Sequence, residues 1–60
     1  MKLELFDYVK LKDGRLGHIV EIWEDGKEFD VEIDAAFWDK TDDWIVTVAA
    51  KDIAEKHEAA

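Results

Sequence analysis

No cysteine, proline or serine occurs in these 60 residues, and arginine occurs once, at Arg15. Without cysteine, neither a disulfide nor a thiolate zinc site can staple the fold. The core must then come from aliphatic and aromatic side chains alone, a composition suited to a reducing cytoplasm. With serine also missing, Thr41 and Thr47 carry the only aliphatic hydroxyls. Covalent catalysis has almost nothing to work with, so a non-enzymatic chain that needs no cofactor is expected. Long apolar runs are missing too. Stretches such as 44–50 fall far short of the roughly 20 residues of a membrane span, and Met1-Lys2-Leu3-Glu4 lacks a signal-peptide core. The expectation is a soluble, cytoplasmic, unprocessed chain whose residues 1–60 form a single domain, since so short a chain cannot divide its core.

What is present in excess is negative charge. Sixteen acidic residues against eight basic ones give a net charge of -8. Such a surface repels the phosphate backbone, which argues against direct nucleic-acid binding. It is steered instead toward basic protein surfaces, including those that ordinarily hold DNA or RNA. The alternative is that the acidity only keeps a small protein soluble.

Apolar periodicity predicts strands. Val9 and Leu11 alternate with Tyr8 and Lys10. After the Asp13-Gly14 turn signal, residues 16–23 carry β-branched Ile19, Val20 and Ile22. A second Asp-Gly, at Asp25-Gly26, precedes the cleanest alternation in the chain: Phe29, Val31 and Ile33 against Glu28, Asp30, Glu32 and Asp34. A slip of one residue there would drive four carboxylates into the core, so the register is firmly set. Residues 35–43 have no period and read as a loop, with a short turn at Ala35-Ala36. Residues 44–48 alternate again, and the helix formers of 49–56 predict one short helical turn before a frayed Glu58-Ala59-Ala60 tail. Strands this short bury their apolar faces only by curling. The expected fold is all-β, a small barrel of four to five antiparallel strands with a short C-terminal helical turn.

Gly14-Arg15-Leu16-Gly17-His18-Ile19-Val20-Glu21-Ile22 resembles the glycine-punctuated hairpin of KOW domains, and the whole chain is similar to small bacterial SH3-like barrel proteins of the KOW/Tudor-like superfold. Gly14 suits positive φ in the turn, and Gly17 suits a close backbone approach where the strand bends. Leu5-Phe6-Asp7-Tyr8 resembles the ALYDY opening of signalling SH3 domains, but the adjacent Trp pair and late proline of that signature are missing. KOW proteins commonly touch RNA or polymerase, and their RNA-binding members are basic, unlike this chain. The resemblance therefore implies an SH3-like fold and leaves protein contact as the open function, including an accessory role in transcription or translation.

Candidate chemistry is sparse. His18 and His57 stand at no metal-binding spacing, and Asp34, Asp39, Asp42 and Asp43 lack the regular layout and distal glutamate of a calcium loop, so no metal is expected. The aromatics say more. Seven, three of them Trp, exceed what so small a core can hold. Phe29 is the safest core ring, whereas Phe37, Trp38 and Trp44 flank the acidic residues Asp39, Asp42 and Asp43, and Tyr8 and Trp23 point away from the more buried face of their strands. Rings beside carboxylates suit a cation by cation–π attraction, and exposed tryptophans suit an interface anchor. The competing reading has Trp38 and Trp44 plugging the ends of the barrel.

Two readings follow. One is an acidic module that docks on a basic protein surface through Phe37, Trp38, Asp39, Asp42, Asp43 and Trp44. Compact acidic chains of this kind are similar to bacterial or phage inhibitors, antitoxins, immunity proteins and anti-defence proteins. The other is a Tudor-like reader of basic side chains with Tyr8, Trp23 and Trp38 as a cage. Self-association stays open, since the charged 28–34 strand discourages edge pairing while exposed tryptophans favour it.

Overall fold

The alternating segments form five antiparallel strands: β1 (Tyr8–Leu11), β2 (Leu16–Trp23), β3 (Glu28–Ile33), β4 (Ile45–Ala49) and β5 (Ile53–His57). They make one sheet in the order β4-β3-β2-β1-β5, which gives a small barrel-like all-β fold. The structure is a computed structural model that describes residues 2–57, so the 58–60 tail lies outside the described residues. Among the described residues no helix is long and apolar enough to cross a membrane.

Alternation places the core as expected. Val9, Leu11, Ile19, Phe29, Val31, Ile33 and Ile53 are buried, with Leu3, Ile22, Phe37, Val46 and Val48 packed against them. Among the described residues Phe29 is the one buried aromatic. In the first hairpin the Gly14 amide donates to the Leu11 carbonyl at 2.9 Å, and Gly14 takes φ of 97°. A side chain there would strain the turn. In the second, Glu24 and Asp25 both take positive φ, 49° and 57°, the pair of left-handed residues that matches the twist of the flanking strands.

Gly17 is required for a different reason. It pairs with Ile33 across the β2–β3 ladder, and a Cβ there would sit 2.7 Å from Val31 Cγ1 and against the Glu32 carbonyl. Three residues on, β2 departs from strict alternation. Ile19 pairs with Val31 and Glu21 with Asp30, so Val20 is an extra residue, a β-bulge. The bulge turns Ile22 toward the core and leaves Glu21 and Trp23 exposed.

Two expectations need correction. The 35–43 segment is more ordered than a loop, since Ala35–Lys40 form a 3-10 helix, η1. The helical turn predicted over 49–56 shrinks to a 3-10 turn, η2, at Ala50–Asp52. The rest of that segment is β5, paired with β1 through Tyr8↔His57, Val9↔Lys56 and Lys10↔Glu55. Helix propensity lost to burial there: Ile53 completes the core and β1 supplies an open edge.

Candidate docking site

Ile33 organises the first aromatic surface. Its amide donates to the Trp44 carbonyl at 2.6 Å, and its carbonyl accepts the Trp38 indole Nε1–H at 2.8 Å. Trp38 comes from η1, whose start is set by Asp34: the Asp34 carboxylate accepts from the Ala36 amide, and the Asp34 carbonyl accepts from Phe37. Held by one residue, the two indoles stack with centroids 4.7 Å apart and planes 19° from parallel. They do not plug the barrel, for Trp38 remains 43% and Trp44 62% exposed.

The loop between them is tied down by the single arginine. Arg15 pairs with Asp13 at 2.8 Å and donates from Nη1 to the Thr41 hydroxyl at 2.8 Å, and that hydroxyl in turn donates to the Asp43 carbonyl. Arg15 thereby lowers the pKa of Asp13 through side-chain and backbone hydrogen bonds. Asp39, Asp42 and Asp43 are exposed, and among the described residues none of the three forms an ion pair. The surface therefore offers stacked apolar faces next to uncompensated carboxylates. Phe37 does not belong to it as an exposed ring, because it is half-buried against the core.

The remaining aromatic candidates lie elsewhere. Trp23 borders a groove with Glu24, Glu28, Asp30 and Thr47. Tyr8 sits in a row that runs Glu32-His18-Tyr8-His57 across β3, β2, β1 and β5. Its ring is 4.6 Å from that of His18 and 5.9 Å from that of His57, centroid to centroid. Tyr8, Trp23 and Trp38 thus occupy three separate neighbourhoods and share no pocket that would make a cage.

His18, Tyr8 and His57 of that row form one wall of a shallow cleft of about 620 Å³ that also includes Phe6, Asp7, Asp34 and Lys56. The Tyr8 hydroxyl donates to Asp34 Oδ2 at 2.7 Å. That bond holds the Asp34 carboxyl below its ordinary range and raises the Tyr8 phenol above its own. A phenol kept protonated is a hydrogen-bond donor, not an activated nucleophile. Lys56 and Asp7 pair at 3.4 Å at the cleft wall, and Phe6 stands 73% exposed in a left-handed conformation with φ of 68°. Among the described residues no three His, Asp or Glu side chains come together as a metal-ligand set.

This cleft escaped the sequence reading, though half of it was accessible there. Tyr8 lies on the outward side of its strand in the alternation, and the β1–β2 register sets it opposite His18. His57 is hidden because it follows a segment, 49–56, that reads as helical and so falls in the expected tail, whereas it ends β5. Comparison with protein-family profiles, with curated proteins and with solved structures finds no match to this chain.

Proposed function

We propose that this chain is a non-enzymatic binding module that docks on a basic surface of another protein, through Trp38 and Trp44 with Asp39, Asp42 and Asp43 around them. One observation carries the reading: two stacked indoles are left in solvent near the carboxylates of Asp39, Asp42 and Asp43, which form no ion pair among the described residues. Indoles are over-represented among residues whose truncation costs most at interfaces, and covering the Trp44 face would bury apolar area that the monomer leaves wet. The charge of -8 supports steering toward a positively charged partner, such as a cytoplasmic nucleic-acid-binding protein whose site the module would occupy as an inhibitor or regulator.

The test is capture of partners on the immobilised protein, followed by titration of the purified partner at about 0.05 M and about 0.5 M salt. Binding is expected to weaken at least ten-fold over that range, and Trp44→Ala is expected to weaken it by about ten- to thirty-fold. Affinity that ignores both salt and Trp44 would remove the assignment.

A further inference from the structure

The sheet has two edges, and they differ. β5, at one end, carries Glu55, Lys56 and His57, with ion pairs from Lys10 to Glu55 and from Lys56 to Asp7. β4, at the other, reads Ile-Val-Thr-Val-Ala and, among the described residues, is the only strand without a charged residue. Charges, prolines and bulges are the usual guards of an exposed strand edge. β4 has none of them.

The hydrogen-bond parity of β4 follows from its register. Ile33 donates to Trp44, directly opposite it, so that pair is hydrogen-bonded and the bonded pairs alternate from there: Val46 with Val31, then Val48 with Phe29. The amides and carbonyls of Ile45, Thr47 and Ala49 consequently point away from β3. The Ala49 amide agrees, being taken by the Asp52 carboxylate at 3.2 Å. Ile45 and Thr47 remain, offering two amides and two carbonyls at the edge, and among the described residues β4 pairs with β3 alone.

We infer that this edge accepts an extended segment of the basic partner as a sixth, antiparallel strand. The inference rests on the docking reading above and says how that docking is made. Side chains alternate across such a strand. On one face they would neighbour Trp44, Val46 and Val48, which favours apolar residues. On the other they would pass over Ile45 and Thr47 toward the outward carboxylates of β3, Glu28, Asp30 and Glu32, about 9–10 Å away at two strand spacings. Lysine and arginine span that gap. The occupant is therefore a basic–apolar alternating segment. A second copy of this chain fits less well, because its own β4 would bring no cation to meet those carboxylates and would add a second row of them.

The experiment uses a blocked peptide of alternating lysine and valine, with a control peptide N-methylated on the nitrogens of its hydrogen-bonding edge. Amide hydrogen exchange is followed residue by residue by NMR. With the plain peptide, exchange at Ile45 and Thr47 is expected to slow at least ten-fold while the Trp44 indole signal shifts, and the methylated peptide does neither. Ile45→Lys, which sets a cation on the edge, is expected to weaken peptide binding with the core methyl signals unchanged. A salt-sensitive Trp44 shift without protection at Ile45 and Thr47 would overturn strand addition and leave the docking reading standing. Protection that grows with protein concentration in the absence of peptide would overturn it in favour of self-pairing. Failure of the peptide to move any Trp44 signal would overturn both.

Discussion

At one end of the sheet, exposed rings hang from a 3-10 helix and a loop; at the Tyr8 cleft they stand on paired strands. The two regions differ in what they leave unsatisfied. In the cleft, the phenol has Asp34, each imbalance of charge has a neighbour, as with Asp7 and Lys56, and the rings of His18 and His57 lie against Tyr8. Around the tryptophans, the indole N–H of Trp38 is already bonded to Ile33, so what remains outside is mainly the apolar ring faces, with the Trp44 N–H and the exposed carboxylates. Burial of apolar area is the larger source of binding free energy, whereas a satisfied hydrogen-bond network gains little from exchanging water for a partner. The tryptophan end is therefore where a partner adds most.

Both regions share a spine, the β2–β3 ladder. Ile33 anchors the indoles and pairs with Gly17, and the neighbouring His18 pairs with Tyr8. Gly17→Ala tests whether the two surfaces stand or fall together. The added methyl meets backbone and Val31 with little room to shift, so a loss of about 2–3 kcal/mol is expected. That is a large fraction of what a chain of this size has, at roughly 0.05–0.15 kcal/mol per residue. Urea unfolding followed by tryptophan fluorescence and by the histidine NMR signals should give one shared, earlier transition. A loss under about 0.5 kcal/mol would contradict the close approach.

Trp38→Phe separates the regions. A ring remains to lie on Trp44, but the indole N–H to Ile33 is gone, which is expected to cost about 0.5–1.5 kcal/mol and to abolish the near-ultraviolet circular-dichroism signal of the paired indoles. The His18 and His57 resonances should not move. If they do, the two surfaces are coupled through the β2–β3 ladder and do not act independently.

How much of this was legible beforehand follows from which forces are local. The strand spans of β2 and β3, and the core positions Val9, Leu11, Phe29, Val31 and Ile33, come directly from period-two alternation, which needs no knowledge of tertiary contacts. The bulge at Val20 did not come through, although Glu21 carried a signal: strict alternation from Ile19 puts its carboxylate in the core. β5 was opaque for the opposite reason. Ala54, Glu55 and Lys56 favour a helix, and only the edge offered by β1 overrides them. As for the surface, the excess of aromatics over core volume correctly implied exposed tryptophans. That Trp38 and Trp44 meet, while Tyr8 and Trp23 stand apart, depends on Ile33 serving both indoles, a long-range arrangement with no imprint on local pattern.

The smallest effect expected is also the most diagnostic of the cleft. Tyr8→Phe removes the hydroxyl that bonds Asp34 and keeps the ring beside His18. In the folded protein the Asp34 carboxyl is depressed, so the stability it contributes is present above the unfolded carboxyl value, about 3.9, and is lost as pH falls through the folded one. The Tyr8 phenol is raised, so its share is complete below the unfolded value, about 10, and is lost as pH rises through the folded one. Wild type should therefore exceed the variant in stability on a plateau across the neutral range, with the gap closing at both extremes. Arg15 and Asp13 add their own acid-side loss in both proteins, and it cancels in the difference. Urea midpoints measured across the pH range decide it. A gap that persists undiminished in strong acid would mean that the phenol is not bonded to an ionised carboxylate, and the cleft would then lose the hydrogen-bonded carboxylate that distinguishes it from an ordinary patch of strand surface.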